Sequence, residues 1–203
     1  MKLKKKLILA SIISLIIFIV ILIEVLYNGF LVDLDLSINS LNITKNIFLI
    51  ELSKIIGFIF DTVSVIIISL ILSIFLWYKN SKKEGIFLSF TILLNSVIVF
   101  VIKEIVQRAR PLNSLVSENS FAFPSGHTAT AVVFFGVLVY LILRKSNSKI
   151  FKSASIGVSI FMIILICFTR LYLNLHWFSD ILGGLFIGVF ILSICILLKD
   201  KIF

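Results

Sequence analysis

The chain has 203 residues, 60% of which are hydrophobic, and its mean hydropathy is +1.20. Ordinary globular domains contain about 45–50% apolar residues, so this composition excludes a soluble globular protein and indicates one that lies in a bilayer. The formal net charge of +9 does not indicate a nucleic-acid partner. The lysines gather at the ends of apolar runs and form no basic face interleaved with aromatic residues.

Six apolar runs have about the 20 residues needed to cross a bilayer and are predicted to be transmembrane helices. They cover residues 7–27, 55–78, 85–106, 128–143, 153–171 and 177–198. These runs leave no room for a soluble domain, so residues 1–203 are predicted to form a single all-α domain, a bundle of six transmembrane helices. The first run follows several lysines, as in a signal peptide, but it is too long and lacks a cleavage site. An uncleaved helix is therefore expected.

Residues 30–54 mix apolar and polar side chains and are predicted to form a loop and a short amphipathic helix at the membrane interface. The segment is either a plain surface connection or a lip over which a lipid enters. Asp61, near the end of the second span, is expected to face the bundle or the interface, because a carboxylate is costly in contact with lipid.

The sequence predicts a packing face for three glycines of the last span and free thiols for the two cysteines of the last two spans. Gly183, Gly184 and Gly188 are predicted to form a small-residue face for close helix packing. Cys167 and Cys195 are predicted to be free thiols near opposite membrane surfaces, since a disulfide needs Cα atoms within about 7 Å.

The lysines also predict the orientation in the membrane. Lysines outside the polar islands lie at the amino terminus, near residues 79–83 and 144–152, and at the carboxyl terminus. Six crossings place these segments on one side, which the positive-inside rule makes cytoplasmic. The connections near residues 30–54, 107–124 and 171–176 are then extracytoplasmic, in a multi-pass protein of the cell membrane.

One polar island lies at the start of the last span. His176 and Asp180 are four residues apart, so on a helix they share a face. A carboxylate there can hold one imidazole nitrogen protonated and leave the other as a lone pair, as in an oriented nucleophile or base. Arg170 supplies a cation for an oxyanion or a phosphate.

Two further islands add cations and a helix start. Lys103 and Arg110 precede Pro111, while Ser125, Gly126 and His127 lead into the fourth span. Free N–H groups at a helix start bind anions, and a glycine lets a phosphate approach closely. Taken singly, each group also has a simpler interpretation. Lys103 and Arg110 could be cations at the membrane interface, and His176 could be an interfacial anchor. Ser125 and Gly126 could simply start a helix.

Together the islands resemble the three motifs of the type 2 phosphatidic acid phosphatase (PAP2) superfamily, K-x6-R-P, P-S-G-H and S-R-x5-H-x3-D, in order and spacing. Thr169 stands where the family usually has serine and keeps the hydroxyl. The resemblance implies a core like that of vanadium chloroperoxidases. It also implies that His176 is the nucleophile of a phosphohistidine mechanism, that Asp180 orients it and that His127 is the general acid. The phosphate would be bound by Lys103, Arg110, Ser125, Gly126 and Arg170.

The resemblance thus implies a lipid phosphatase whose partners are its lipid phosphate substrate and the membrane lipids. Undecaprenyl diphosphate is favoured, because an outward-facing site is where that carrier is released, with phosphatidylglycerophosphate or phosphatidate as alternatives. No cofactor and no metal site are expected, since metal-ligand pairs and carboxylate clusters are missing from the sequence. A haloperoxidase and a non-catalytic lipid-phosphate binder or transporter are the rival hypotheses. The sequence does not indicate an oligomeric state.

Three residues near the motifs receive no role in the mechanism. Arg108 matches no motif position and is expected to contact the surface or a lipid headgroup. Glu118 and Asn119 are interpreted as loop residues.

Overall fold

The computed structural model describes residues 2–41 and 45–202, and in that part of the chain it contains eight α-helices and no strand. The predicted all-α class is confirmed. In chain order the helices are α1 (Lys2–Leu26), α2 (Phe30–Asn39), α3 (Ile47–Ile59), α4 (Thr62–Tyr78), α5 (Lys82–Val106), α6 (Gly126–Lys145), α7 (Lys149–Tyr172) and α8 (Phe178–Ile202).

Five of these helices, α1 and α5 to α8, are long and apolar enough to cross a membrane. Helices α3 and α4 pass the same test as a pair that is bent by 51° where they meet. Counting this pair as one span gives the six spans of the sequence prediction. The protein is therefore a multi-pass membrane protein.

The prediction for residues 30–54 is wrong in its details. Residues 30–39 form α2, and the second span begins at Ile47 and is broken, whereas an unbroken span from residue 55 was expected. Polar side chains define these boundaries: the Asn46 carboxamide accepts the Phe48 N–H at 2.8 Å, and the Asp61 carboxylate accepts the Val63 N–H at 3.0 Å. Asn46 is the N-cap at which α3 starts, and Asp61 is the N-cap at which α4 starts.

Helix α6 lies at the centre of the bundle and packs against α4, α5, α7 and α8. Helices α1 and α2 pack against α8, and α3 packs against α7. Many side chains on the outer faces of α1, α4, α5 and α7 are large, apolar and exposed. They are suited to contact lipid tails.

The three glycines of α8 form the small-residue face that the sequence predicts. A Cβ at Gly184 would lie 2.6 Å from the Ser125 carbonyl oxygen, and one at Gly188 would lie 3.0 Å from the Ala129 carbonyl oxygen. Gly183 faces the Phe123 ring. Helices α6 and α8 can therefore approach closely only because these side chains are absent.

Both cysteines are free thiols, as expected. The Sγ atom of Cys167 lies 3.6 Å from the Thr128 hydroxyl.

Candidate active site

The ends of four helices meet at one end of the bundle and carry all the predicted site residues. The carboxyl ends of α5 and α7 and the amino ends of α6 and α8 all lie here. Two backbone hydrogen bonds join these ends, from Ser125 N–H to the Asp180 carbonyl at 2.9 Å and from Leu115 N–H to the Leu173 carbonyl at 2.9 Å. The three polar islands therefore lie side by side.

The His176 and Asp180 side chains are both buried and in contact, with Nδ1 3.3 Å from Oδ2. They do not share a helix face as predicted, since α8 begins at Phe178 and His176 lies before it. The contact is made across the first turn, where Oδ2 also accepts the Trp177 N–H at 2.9 Å. The aspartate thus caps α8 and holds the imidazole with one carboxylate.

The second ring nitrogen of His176 carries the lone pair. Its Nε2 lies 3.2 Å from Nη1 of Arg110, and a guanidinium only donates hydrogen bonds. Burial, together with the charges of Arg110, Lys103 and Arg170, lowers the pKa of His176 well below its usual value. The imidazole is therefore neutral at neutral pH, which is the form that can act as a nucleophile.

The other histidine lies where α3, α6 and α7 meet. Nε2 of His127 is 3.2 Å from the Gly57 carbonyl oxygen, 3.7 Å from Oδ1 of Asp61 and 3.3 Å from Nη1 of Arg170. The arginine favours a lone pair on Nε2, whereas the two acceptors favour a proton. The general acid form is the imidazolium, which is protonated on both ring nitrogens, and in that form Nε2 donates to the Gly57 carbonyl oxygen.

Arg170 is buried and held from two sides. Its Nη2 donates to the Ser53 carbonyl at 3.1 Å and its Nε to the Thr169 hydroxyl at 3.2 Å. The Thr169 hydroxyl thus accepts a hydrogen bond from Arg170, which a serine at this position could also do. A Cβ at Gly57 would overlap the Arg170 guanidinium, so α3 approaches α7 at a glycine.

Lys103 and Arg110 are held by the loop between α5 and α6. The Lys103 ammonium donates to the Phe121 carbonyl. Arg110 donates to the Ser120 carbonyl at 2.8 Å and the Leu175 carbonyl at 2.5 Å, and it forms an ion pair with Glu118 at 2.6 Å. Glu118, to which the sequence interpretation gives no role, therefore contacts a predicted phosphate ligand.

Ser125 and Gly126 stand at the start of α6, as predicted. The Ser125 hydroxyl accepts a hydrogen bond from the Thr128 N–H at 3.4 Å, and the Ser125 N–H donates to the Asp180 carbonyl. Within the described part of the chain, the N–H groups of Gly126 and His127 have no such acceptor. These two N–H groups, at the positive end of the helix dipole, are suited to bind an anion.

The expectation for Arg108 is wrong. Its side chain is only 12% exposed and forms ion pairs with Asp180 at 2.6 Å and with Asp35 at 2.7 Å. Asp35 lies on α2 and is buried. In the sequence Asp35 is one of several polar residues in the mixed segment 30–54, and nothing local identifies its partner Arg108, which is 73 residues away.

A cavity of about 250 Å³ opens beside His127 and Arg170. Its other lining residues are Lys54, Gly57, Phe58, Asp61, Val116, Glu118, Leu173 and Leu175. A larger cavity of about 630 Å³ lies between α4 and α5, but its lining is largely apolar and includes no predicted site residue. His127 and Arg170 line the smaller cavity, whereas His176 lines a separate cavity of about 180 Å³. We place the candidate active site at this end of the bundle, around these side chains. No group of three His, Cys, Asp or Glu residues in the described ranges could hold a metal ion.

The fold and the site define a polytopic membrane protein with a cation-lined pocket and two imidazoles at one end of its helical bundle. Residues 84–203 match the PAP2 superfamily, and the chain belongs to this superfamily.

Two curated relatives show similarity over part of their length. The chain is 36% identical over 92 residues to phosphatidylglycerophosphatase B of Bacillus subtilis and 33% identical over 87 residues to lipid phosphate phosphatase delta of Arabidopsis thaliana. These matches cover 44% and 40% of this chain but only 45% and 20% of the relatives.

A solved structure shares the fold over nearly the whole chain. It is the transmembrane PAP2-type phosphatidylglycerolphosphate phosphatase of Bacillus subtilis, with a TM-score of 0.83 and 21% sequence identity. The match covers 95% of this chain and 97% of that one, so the described architecture is that of a transmembrane PAP2 protein.

Proposed function

We propose that the protein is a membrane phosphatase that hydrolyses a phosphoric ester or diphosphate bond of a lipid. The observation that carries this proposal is the neutral, oriented His176, which contacts Arg110 at the end of the bundle where His127 and Arg170 also lie. Phosphoryl transfer needs mainly positioning and positive charge around the transferred group, and this arrangement of side chains supplies both.

In the proposed reaction, Nε2 of His176 attacks the phosphorus atom while the bond to the lipid oxygen breaks. His127 protonates the leaving oxygen, and a phosphohistidine remains on His176. A water molecule then attacks the phosphorus atom, with His127 accepting its proton, and free phosphate leaves. Lys103, Arg110, Arg170 and the N–H groups at the start of α6 bind the phosphate oxygens, with Ser125 shaping that turn.

The lipid is the finer part of the proposal. Undecaprenyl diphosphate is the substrate favoured by the sequence interpretation, but the relative of 36% identity is named a phosphatidylglycerophosphatase. Phosphatidylglycerophosphate is therefore the first substrate to test, with undecaprenyl diphosphate and phosphatidate beside it.

We also propose that the site faces the extracytoplasmic side and that both termini are cytoplasmic. This follows from the lysines at the ends of the chain and in the connections opposite the site. Of the rival functions, a haloperoxidase is disfavoured because those enzymes are soluble and this chain has several membrane spans.

The test is phosphate release by the purified protein in detergent, with EDTA present and the three lipids compared. We expect release to persist in EDTA. His176→Ala and His127→Ala should each lower turnover by about 10²–10⁴-fold, the contribution typical of acid–base groups, and the nucleophile variant should lose more.

Lys152→Gln, at the opposite end of α7, is the matched control and should keep full activity. Release that disappears with EDTA, or that survives in His176→Ala, contradicts the mechanism. A His176→Ala protein that still performs its cellular role would instead support a lipid-phosphate binder or transporter.

A further inference from the structure

Asp35 is a buried carboxylate outside the family motifs. It is 1% exposed, whereas Asp33 on the same helix is exposed. An ionised carboxylate is costly to bury unless charges and hydrogen bonds compensate it, so the partners of Asp35 indicate its purpose.

Those partners belong to the start of α8 and to the loop after α5. Oδ1 of Asp35 accepts the Ser179 N–H at 2.8 Å, and Oδ2 accepts the Ser179 hydroxyl at 2.5 Å. Oδ2 also accepts from Nη2 of Arg108 at 2.7 Å. The carboxylate therefore caps α8 from another helix and holds one edge of the guanidinium.

The other edge of the same guanidinium holds Asp180. Nη1 of Arg108 donates to Oδ1 of Asp180 at 2.6 Å, while Oδ2 of Asp180 faces the Trp177 N–H and Nδ1 of His176. Both oxygens of this aspartate thus have donors, so the carboxylate is fixed against rotation. Without Arg108, Oδ1 would be a buried acceptor that has lost its charged donor.

On the basis of the function proposed above, we propose that Arg108, held by Asp35, is a positioning residue for the nucleophile. It fixes the Asp180 carboxylate so that Oδ2 points at Nδ1 of His176 and Nε2 faces Arg110, the predicted phosphate ligand. Both ends of the Arg108 guanidinium are occupied by the carboxylates of Asp35 and Asp180, so it acts through Asp180 and not on the substrate.

A purely structural role, in which the ion pairs only attach α2 to α8, makes a different prediction. Loss of such an attachment lowers stability and leaves the catalytic step of the folded protein intact. Loss of a positioning residue lowers kcat at unchanged KM, because a displacement of about 1 Å at a reacting group can reduce the rate about 10²-fold.

The first experiment compares Arg108→Gln and Asp35→Asn with the matched control Asp33→Asn. We expect kcat to fall on the order of 10²-fold in Arg108→Gln and less in Asp35→Asn, with KM within about twofold of the original protein. Arg108→Lys should restore only part of kcat, since an ammonium cannot bind both carboxylates in the planar fork of a guanidinium. The control should keep its kcat.

Removing one member of a buried ion pair can prevent folding, so the double variant with Arg108→Gln and Asp35→Asn removes both charges together. A folded double variant with low kcat supports the proposal. Full kcat in Arg108→Gln or in the double variant overturns it.

The second experiment does not depend on phosphatase activity. The chain has only two histidines, so labelling with ¹⁵N-histidine and comparison with His176→Asn assigns the His176 signals. We expect a hydrogen-bonded Nδ1 proton in the original protein and a weakened or exchange-broadened one in Arg108→Gln. An unchanged Nδ1 proton overturns the proposal. If the original protein releases no phosphate but this signal responds to Arg108, the proposed function fails and the positioning role stands.

Discussion

At the scale of single residues, His176 shows how burial determines protonation. The side chain is 1% exposed, and three cations, Arg110, Lys103 and Arg170, add to the effect of burial in lowering its pKa. The aspartate at Nδ1 fixes which nitrogen is protonated, and the lowered pKa keeps the ring neutral. Both effects serve a nucleophile, because a protonated imidazole has no lone pair to donate.

The lowered pKa of His176 also predicts a pH dependence of stability. Above about pH 6.5, the usual pKa of histidine, neither the folded nor the unfolded chain binds a proton at this site. Below it the unfolded chain binds a proton that the folded chain excludes, so the free energy of unfolding falls as the pH falls. The contribution is up to about 1.4 kcal/mol per pH unit, until the lowered pKa is reached.

We expect thermal unfolding in detergent, followed between pH 7.5 and pH 4.5, to be less acid-sensitive in His176→Asn than in the original protein. The difference between the two curves isolates this group from the other titrating side chains. Parallel curves would mean that His176 is not buried as a neutral imidazole.

At the scale of secondary-structure elements, the contact of α3 with α7 builds one wall of the site. Helix α3 supplies the Ser53 and Gly57 carbonyl groups, which contact Arg170 and His127. The break between α3 and α4 places Asp61 beside His127. A glycine is needed at residue 57 because the Arg170 guanidinium occupies the space of a side chain.

Gly57→Ala should therefore impair the reaction more than the fold. The added methyl group meets the end of a long side chain, so the Arg170 guanidinium moves and the helices stay in place. We expect kcat/KM to fall by on the order of 10²-fold, since removal of one oxyanion-binding donor typically costs 10²–10³-fold. Gly157→Ala on α7, where no atom lies within 4 Å of the added group, is the control. Equal activity of the two variants would contradict the packing described.

At the scale of the whole molecule, the candidate site lies at one end of the helical bundle and a group of basic residues lies at the other. The candidate site lies where α5 and α7 end, and Arg144, Lys145, Lys149 and Lys152 lie at the other end of α6 and α7. This separation predicts the orientation of the protein in the membrane.

Labelling of single cysteines tests that orientation. In a chain with Cys167→Ala and Cys195→Ala, Leu112→Cys places a thiol in the loop beside the site, at a residue with 104% relative exposure. Asn147→Cys places one in the exposed connection between α6 and α7. A membrane-impermeant maleimide should label the first in intact cells and the second only after permeabilisation. The reverse pattern would put the site on the cytoplasmic side.

The sequence by itself determined what depends on local pattern. Hydropathy is a property of consecutive residues, so the spans follow from the chain and their ends agree with the helices to within a few residues, except in the second span. The spacing of the three polar islands identified the family. The free cysteines and the glycine face of α8 were also predictable, because each follows from the position of a residue along a helix.

Only the tertiary structure decided which distant side chains meet. Asp35 and Arg108 are 73 residues apart, and His127 and Gly57 are 70 residues apart, so no local pattern pairs them. The sequence interpretation gave Arg108 a contact with the surface or a lipid headgroup because it matches no motif position. Its burial becomes favourable only when two carboxylates from different helices surround it, and only the packing of α2 against α8 brings them together.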